Sequence, residues 1–194
     1  RYLPTERSVT LIAPSAVVDR ASRRAGIDYI GTLVSVIHAL RAAGHRVQIV
    51  AYSARTDAPA GKTNDLPLCR EIGQLAGVPV LDREIDAYEM RELIRRARML
   101  VTSRFHAMVS GLATATPTFV IGWSHKYREV LTEFGLEEWV VDFRELSAED
   151  LAQAVLDLDA NAGAYRKAVE RALPDVVASA EKNLERLLAV LNTP

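Results

Sequence analysis

The sequence predicts an α/β fold, a Rossmann-like doubly wound sheet of six parallel strands, on three observations. Short β-rich runs alternate with helical patterns along the first three quarters of the 194-residue chain. No internal repeat, low-complexity stretch or clear linker interrupts that alternation. Apolar residues make up 49% and charged residues 25%, the balance of a globular chain with a core to bury. Strands alternating with helices call for parallel pairing, both faces covered, and right-handed connections. The commonest outcome is strand order 3-2-1-4-5-6 in a single domain covering residues 1–194.

Val9 to Ala13 reads as the first strand, followed by a polar loop from Pro14 to Arg20. Ile30, Leu33, Val34, Ile37 and Leu40 then recur at helical spacing over residues 28–43, with Gly44 as a stop. Arg46 to Tyr52 is the second strand, and a loop rich in Ala, Pro, Gly and Thr runs to about Thr63. A helix over 64–76 ends at Gly77, before the third strand at Val78 to Asp82. Glu89 to Arg98 is amphipathic, Met99 to Thr102 is the fourth strand, and a helix starts near Arg104. Pro117 to Ile121 is the fifth strand; Ser124 caps a short helix that closes at Gly135; Glu138 to Phe143 is the sixth strand. Ser147-Ala148-Glu149-Asp150 has the form of a capping box. A long helix fills most of 164–191, with Val177, Ala180, Leu184, Leu187, Leu188 and Leu191 on one stripe and Pro174 expected to kink or divide it.

Composition narrows the function. With 24 basic against 25 acidic residues there is no surplus of positive charge for a nucleic-acid partner. The arginines of Arg91 to Arg96 are interrupted by apolar residues at helical spacing, as on a solvated helix face. A single cysteine, Cys69, excludes an internal disulfide and a multi-cysteine metal site; it reads as a packed helix residue. It also favours a reducing compartment, so the expected location is cytoplasmic, extending to the inner face of the membrane. No apolar run approaches the roughly 18 residues a membrane span requires. The chain begins with arginine, so it reads as a fragment of a longer product.

In this topology the first and fourth strands lie side by side and their connections leave toward opposite faces. Ligands bind beyond the carboxyl ends at that switch point. The loop after Ala13 carries neither GxGxxG nor GxxxxGK[ST], which disfavours a dehydrogenase or P-loop enzyme. It offers Ser15, Asp19, Arg20, Arg23 and Arg24, residues equally at home on an exposed polar loop. The second loop, Thr102-Ser103-Arg104-Phe105-His106-Ala107-Met108, joins a buried strand directly to a helix. With Ser103 as N-cap, Arg104 and His106 fall in the first turn. A cation there opposes the helix dipole by about 0.3–1 kcal/mol. It makes sense if an anion sits between it and the free amides. The same field favours neutral His106, able to trade a proton. The plain alternative has His106 packed under the sheet end and Arg104 paired with a carboxylate.

At these residues the sequence resembles the polysaccharide pyruvyl transferase family. The match runs through Thr102 to Met108, Gly111-Leu112-Ala113 and Thr116 to Ile121, against the family's SRLHA block, small-residue helix, G-[VI]-P turn and strand. Lys126 to Leu131 and Phe134-Gly135-Leu136 resemble the following K-V-x-x-L-L…L-G-L segment; Asp86 to Ile94 resembles the stretch preceding the block. The likeness is good over about 78–142 and architectural over the first 77 residues. It implies the carboxyl-terminal half of a GT-B-like enzyme of two Rossmann-like domains, whose amino-terminal half would be the missing partner.

The implied reaction transfers the enolpyruvyl unit of phosphoenolpyruvate to two hydroxyls of a glycan or lipid-linked sugar, forming a ketal and releasing phosphate. Arg104 would bind the donor anion, with Ser103 beside it. Phe105 would replace the usual leucine, and His106 would bind the anion or donate the proton. Lys126 matches a family lysine but also suits an exposed helix start. A further basic residue is expected after the first strand; Arg20, Arg23 and Arg24 stay open, with Ser15 and Arg20 as candidates to meet the donor. No metal and no cofactor are required. His125, His38 and His45 are assigned no chemistry.

Two other readings stand beside this one. A GT-B glycosyltransferase would place a nucleotide-sugar diphosphate at Arg104 and His106, with Trp123 and Ser124 toward base and ribose. A non-catalytic module would bind an anion or serve in assembly only.

Overall fold

The computed structural model describes residues 7–55, 64–145 and 147–191, and the side chains of 183–191 are not included. Residues 56–63 of the expected loop and the leucine side chains of the terminal stripe from Leu184 onward lie outside that description. The sheet has six strands in the order β3-β2-β1-β4-β5-β6, all neighbours parallel. They are β1 Val9–Ala13, β2 Arg46–Val50, β3 Val80–Leu81, β4 Met99–Thr102, β5 Thr118–Gly122 and β6 Val140–Asp142. The helices are α1 Ala16–Arg24, α2 Tyr29–Ala42, α3 Leu66–Ala76, α4 Ala87–Arg96, α5 Phe105–Ala113, α6 Lys126–Glu133, α7 Ala148–Ala160 and α8 Ala162–Leu191.

β1, β4 and β5 are buried at every position, as central parallel strands covered on both faces must be. Side chains alternate between the faces. Ile12, Met99 and Val101 enter the core shared by α2, α3 and α7; Leu11, Ala13 and Leu100 enter the one under α4. α2 packs on α3 and α7, and α4 packs on α5. Gly44 and Gly77 stand at positive φ, where the predicted helix stops require them. Ser147 caps α7 by accepting from the Asp150 amide, as the capping box predicts.

The structure corrects several local expectations. The segment read as a loop after β1 is largely α1, capped by Ser15, whose hydroxyl accepts from Val17 N–H. Asp19, Arg20, Arg23 and Arg24 gave it a polar look because Val18 and Ser22 are the buried positions of this short helix. Ser124 does not cap α6; His125 holds that position without a side-chain bond. The sixth strand is only Val140–Asp142, because 3-10 turns at Glu137–Trp139 and Phe143–Glu145 take its expected ends. The third strand is likewise reduced to two residues at the sheet edge. Pro174 does not divide α8, which runs continuously past it.

Close packing sets α5 against the sheet. A β-carbon on Gly111 would come 2.1 Å from Thr118 Oγ1, so this helix rests on β5 through a bare backbone. Ala115, in the turn leaving α5, has φ of 49°, a left-handed conformation that an L side chain resists.

Candidate functional site

β1 and β4 pair from Thr10↔Met99 to Ala13↔Thr102, so their carboxyl ends finish level. Side chains and amides lock the two ends together. The Ala13 carbonyl accepts from the Thr102 hydroxyl at 3.0 Å and from Ser103 N–H at 3.2 Å. Thr102 Oγ1 accepts in turn from Arg104 N–H at 3.0 Å. This fixes the backbone where the chain turns from strand into α5.

Ser103 is not the N-cap of α5; that position belongs to Arg104, and no side chain caps the helix. Ser103 is drawn inward instead. Its hydroxyl bonds the Tyr29 hydroxyl at 2.8 Å, and its carbonyl accepts from Tyr127 O–H at 3.1 Å. Tyr29 O–H also accepts from Ser15 N–H at 3.3 Å, joining the turns after β1 and β4 through one buried phenol. Burial pushes the Tyr29 hydroxyl above the usual tyrosine range, and pushes Tyr127 up to about 12, partly offset by Trp123 and Arg104. Both phenols stay protonated hydrogen-bonding struts.

Arg104 forms an ion pair with Asp65, a carboxylate with no solvent exposure; the Arg104 side chain keeps 19%. The plain alternative for Arg104, pairing with a carboxylate, is thus realised. His106 lies in the first turn of α5 and is exposed, not packed beneath the sheet. Phe105 stands between it and Tyr127, edge-on to both rings at 5.8 and 5.5 Å. The Lys126 ammonium sits 4.4 Å from the Phe105 ring centre and 5.5 Å from that of Trp123.

The structure therefore gathers Ser103, Arg104, Phe105, His106 and Lys126 around the start of α5. Ser15 belongs to its buried support, 1% exposed. Arg20 lines a different groove, between α1 and α3, with Asp19, Asn64 and Glu71. Arg23 is held by Asp19 at 3.0 Å. Trp123 is 38% exposed beside this cluster, while Ser124 and His125 line a neighbouring groove of about 610 Å³ with Arg128, Glu129 and Asp142. Cys69 is buried in α3 with its thiol pushed above the usual range by burial. His45 is buried far along the sheet from this end, on Thr10 and Asp159.

Asp65 is the residue that sequence reasoning missed. It precedes Leu66-Pro67 at a helix start and so reads as an ordinary N-cap. Among the described residues no group of three or more His, Cys, Asp or Glu side chains is arranged to hold a metal ion, and no helix is long and apolar enough to cross a membrane. Chemically, the cluster combines two fixed cations, an exposed imidazole and an uncapped helix start with free amide donors, which together suit a small anion.

A family model described as polysaccharide pyruvyl transferase matches residues 7–125. Among solved structures, the glycosyltransferase of kitacinnamycin superposes with a TM-score of 0.57 at 18% identity, covering 94% of this chain and 44% of that one. Spinosyn rhamnosyltransferase SpnG gives 0.54 at 12% identity, covering 95% of this chain and 46% of that one. The catalytic domain of the cholesterol-α-glucosyltransferase from Helicobacter pylori gives 0.50 at 13% identity, covering 84% of this chain and 96% of that one. These neighbours have the GT-B fold, and at such identity the likeness concerns architecture alone. The chain spans less than half the length of the first two.

Proposed function

The chain belongs to the polysaccharide pyruvyl transferase family, and from that premise we propose that it is the donor-binding half of a two-domain enzyme using phosphoenolpyruvate. The observation carrying this reading is the uncapped start of α5, with Arg104, His106 and Lys126 gathered on it at the β1/β4 switch point. A carboxylate and a phosphate on one small molecule need at least two cationic partners and oriented amide donors.

In the proposed reaction a proton goes to the methylene carbon of phosphoenolpyruvate, leaving its central carbon electron-poor. One sugar hydroxyl adds there and loses its proton. The bond from that carbon to the phosphate oxygen breaks, and phosphate leaves with the electron pair. A second hydroxyl then closes the ketal, losing its own proton. His106, exposed in the first turn, is the group to deliver the first proton. Arg104 and Lys126 stabilise the carboxylate and the departing phosphate. The acceptor is a glycan or its lipid-linked precursor, completed by an amino-terminal domain across a cleft. Nucleic acid is not among the proposed partners.

Calorimetric titration with phosphoenolpyruvate tests this, beside Arg104→Ala and His106→Ala, with inorganic phosphate and a nucleoside diphosphate as controls. Saturable binding weakened in both variants is the expected result. Binding of the nucleoside diphosphate alone would transfer the site to the glycosyltransferase reading, for which Trp123 offers a half-exposed stacking face. Binding of no anion by the wild-type chain would count against a donor site complete in this half.

A further inference from the structure

Asp65 holds the N-cap position of α3, where an aspartate ordinarily accepts from an amide of its own first turn. It makes no such bond. Its carboxylate turns to three segments that the strand order brings together. Oδ1 accepts from Ala16 N–H at 2.9 Å, Oδ2 accepts from Ser53 N–H at 3.2 Å, and Arg104 donates its guanidinium to Oδ1. These partners follow β1, β2 and β4. A fully buried carboxylate is tolerated only when charge and hydrogen bonds compensate its desolvation, and all three donors do so here.

The placement has two consequences. Ala16 begins α1, so the Asp65 carboxylate occupies the helix start nearest Ser15 and closes it to an external anion. The start of α5 stays uncapped. Asp65 also holds the planar guanidinium from its buried side, which fixes the orientation of the part that remains exposed.

We propose that Asp65 is the positioning residue for Arg104, selecting the α5 start over the α1 start as the anion site. The proposal rests on the anion-site reading above. It differs from a purely structural role in one respect: the effect of Asp65 on ligand affinity must pass through Arg104.

A double-mutant cycle on the full chain tests it, using Asp65→Asn, Arg104→Gln and the pair, with phosphoenolpyruvate and inorganic phosphate as probes. Asp65→Asn is expected to weaken binding about tenfold, the scale of one charge-assisted hydrogen bond. In the Arg104→Gln background the same change is expected to have less than about a twofold effect. Asp65→Asn should also lower the melting temperature of the otherwise wild-type chain, since asparagine keeps one acceptor oxygen and satisfies only one of the Ala16 and Ser53 amides. Equal weakening in the two backgrounds, or none in either, would overturn the positioning role. If phosphate shows the cycle and phosphoenolpyruvate does not bind, the positioning role stands and the pyruvyl-transfer reading falls. Should Asp65→Asn not fold, Arg104 side-chain NMR provides the second measurement. Resolved guanidinium N–H signals in the wild type are expected of a tethered group, and averaged signals would overturn the proposal.

Discussion

The ammonium of Lys126, the first residue of α6, lies 4.4 Å from the ring centre of Phe105, the first residue of α5 and the neighbour of Arg104 in sequence. The contact explains why a lysine at the start of a helix is held rather than left to solvent. Phe105, Trp123 and Tyr127 surround it at 4.4, 5.5 and 5.8 Å from their ring centres. Lys126→Met keeps the aliphatic length and removes the charge. Affinity for phosphoenolpyruvate should fall about tenfold or more, as expected for a hydrogen bond to a charged group. Stability should fall by no more than about 1 kcal/mol, the scale of a partly exposed cation–π contact. Calorimetry and thermal melts report the two effects separately, and unchanged affinity would remove Lys126 from the site.

Tyr127 acts on the turn between β4 and α5. Its hydroxyl is the donor to the Ser103 carbonyl, in a side chain only 1% exposed. Tyr127→Phe leaves that buried carbonyl short of a donor, a cost of about 1–3 kcal/mol. Chemical denaturation should show that loss. Arginine binding of the donor should also loosen, because the Ser103–Arg104 backbone is no longer pinned from α6. Retained stability would mean that another donor reaches the carbonyl.

Two positions around α5 should respond with opposite signs. Ala115→Gly relieves the left-handed backbone and is expected to stabilise the fold by about 0.5–1 kcal/mol, the strain relief being partly offset by glycine's chain entropy. Gly111→Ala forces the new methyl against Thr118, whose hydroxyl is already bonded to the Thr116 carbonyl at 2.8 Å. Overpacking of this kind costs about 1–3 kcal/mol. It should also weaken donor binding, because α5 is pushed off β5. Urea midpoints of the two variants on either side of the wild type would bear this out.

His45 makes stability depend on pH. It is 7% exposed; Thr10 Oγ1 lies 3.0 Å from Nδ1 and Asp159 lies 3.6 Å from Nε2, with Arg98 bonded to the same carboxylate. Burial lowers its proton affinity below the ordinary histidine value; Asp159 raises it and Arg98 lowers it further. Below about pH 6.5 the unfolded chain therefore takes up a proton that the folded chain refuses. Stability contributed by His45 is present above that pH and declines as pH falls, by at most about 1.4 kcal/mol per unit. Asp159 is held below its ordinary value chiefly by hydrogen bonding to Arg98, so its own contribution is lost at lower pH, progressively as pH falls through the usual carboxylate range and past its lowered value. Urea midpoints at pH 7.5 and 5.5 should differ in the wild type and differ less in His45→Gln. Equal pH dependence in both proteins would assign the effect elsewhere.

Much of this was legible in residue order. The strand order followed from alternating β-rich and helical runs, because parallel pairing and right-handed crossovers leave few alternatives once six strands are counted. Met99–Thr102 and the helix beginning after Arg104 were readable because a buried strand and an apolar helix meet with no linker between them. Arg104 and His106 stood out as a cation and an imidazole where a helix start prefers acids. The helix after β1 was less visible, since its nine residues bury only Val18 and Ser22 and otherwise look like a polar loop.

What the sequence determined by itself was the architecture, and with it the switch point where β1 and β4 end side by side, both of which depend on local periodicity and chain order. The tertiary structure decided the company that end keeps. Arg104 meets a carboxylate 39 positions away, and Ser103 forgoes a cap to bond a tyrosine 74 positions away. Local preference assigned Asp65 and Ser103 to their own helix starts. Strand order placed buried donors within reach of both, and satisfying polar groups in a dry interior outweighs a cap that solvent can replace.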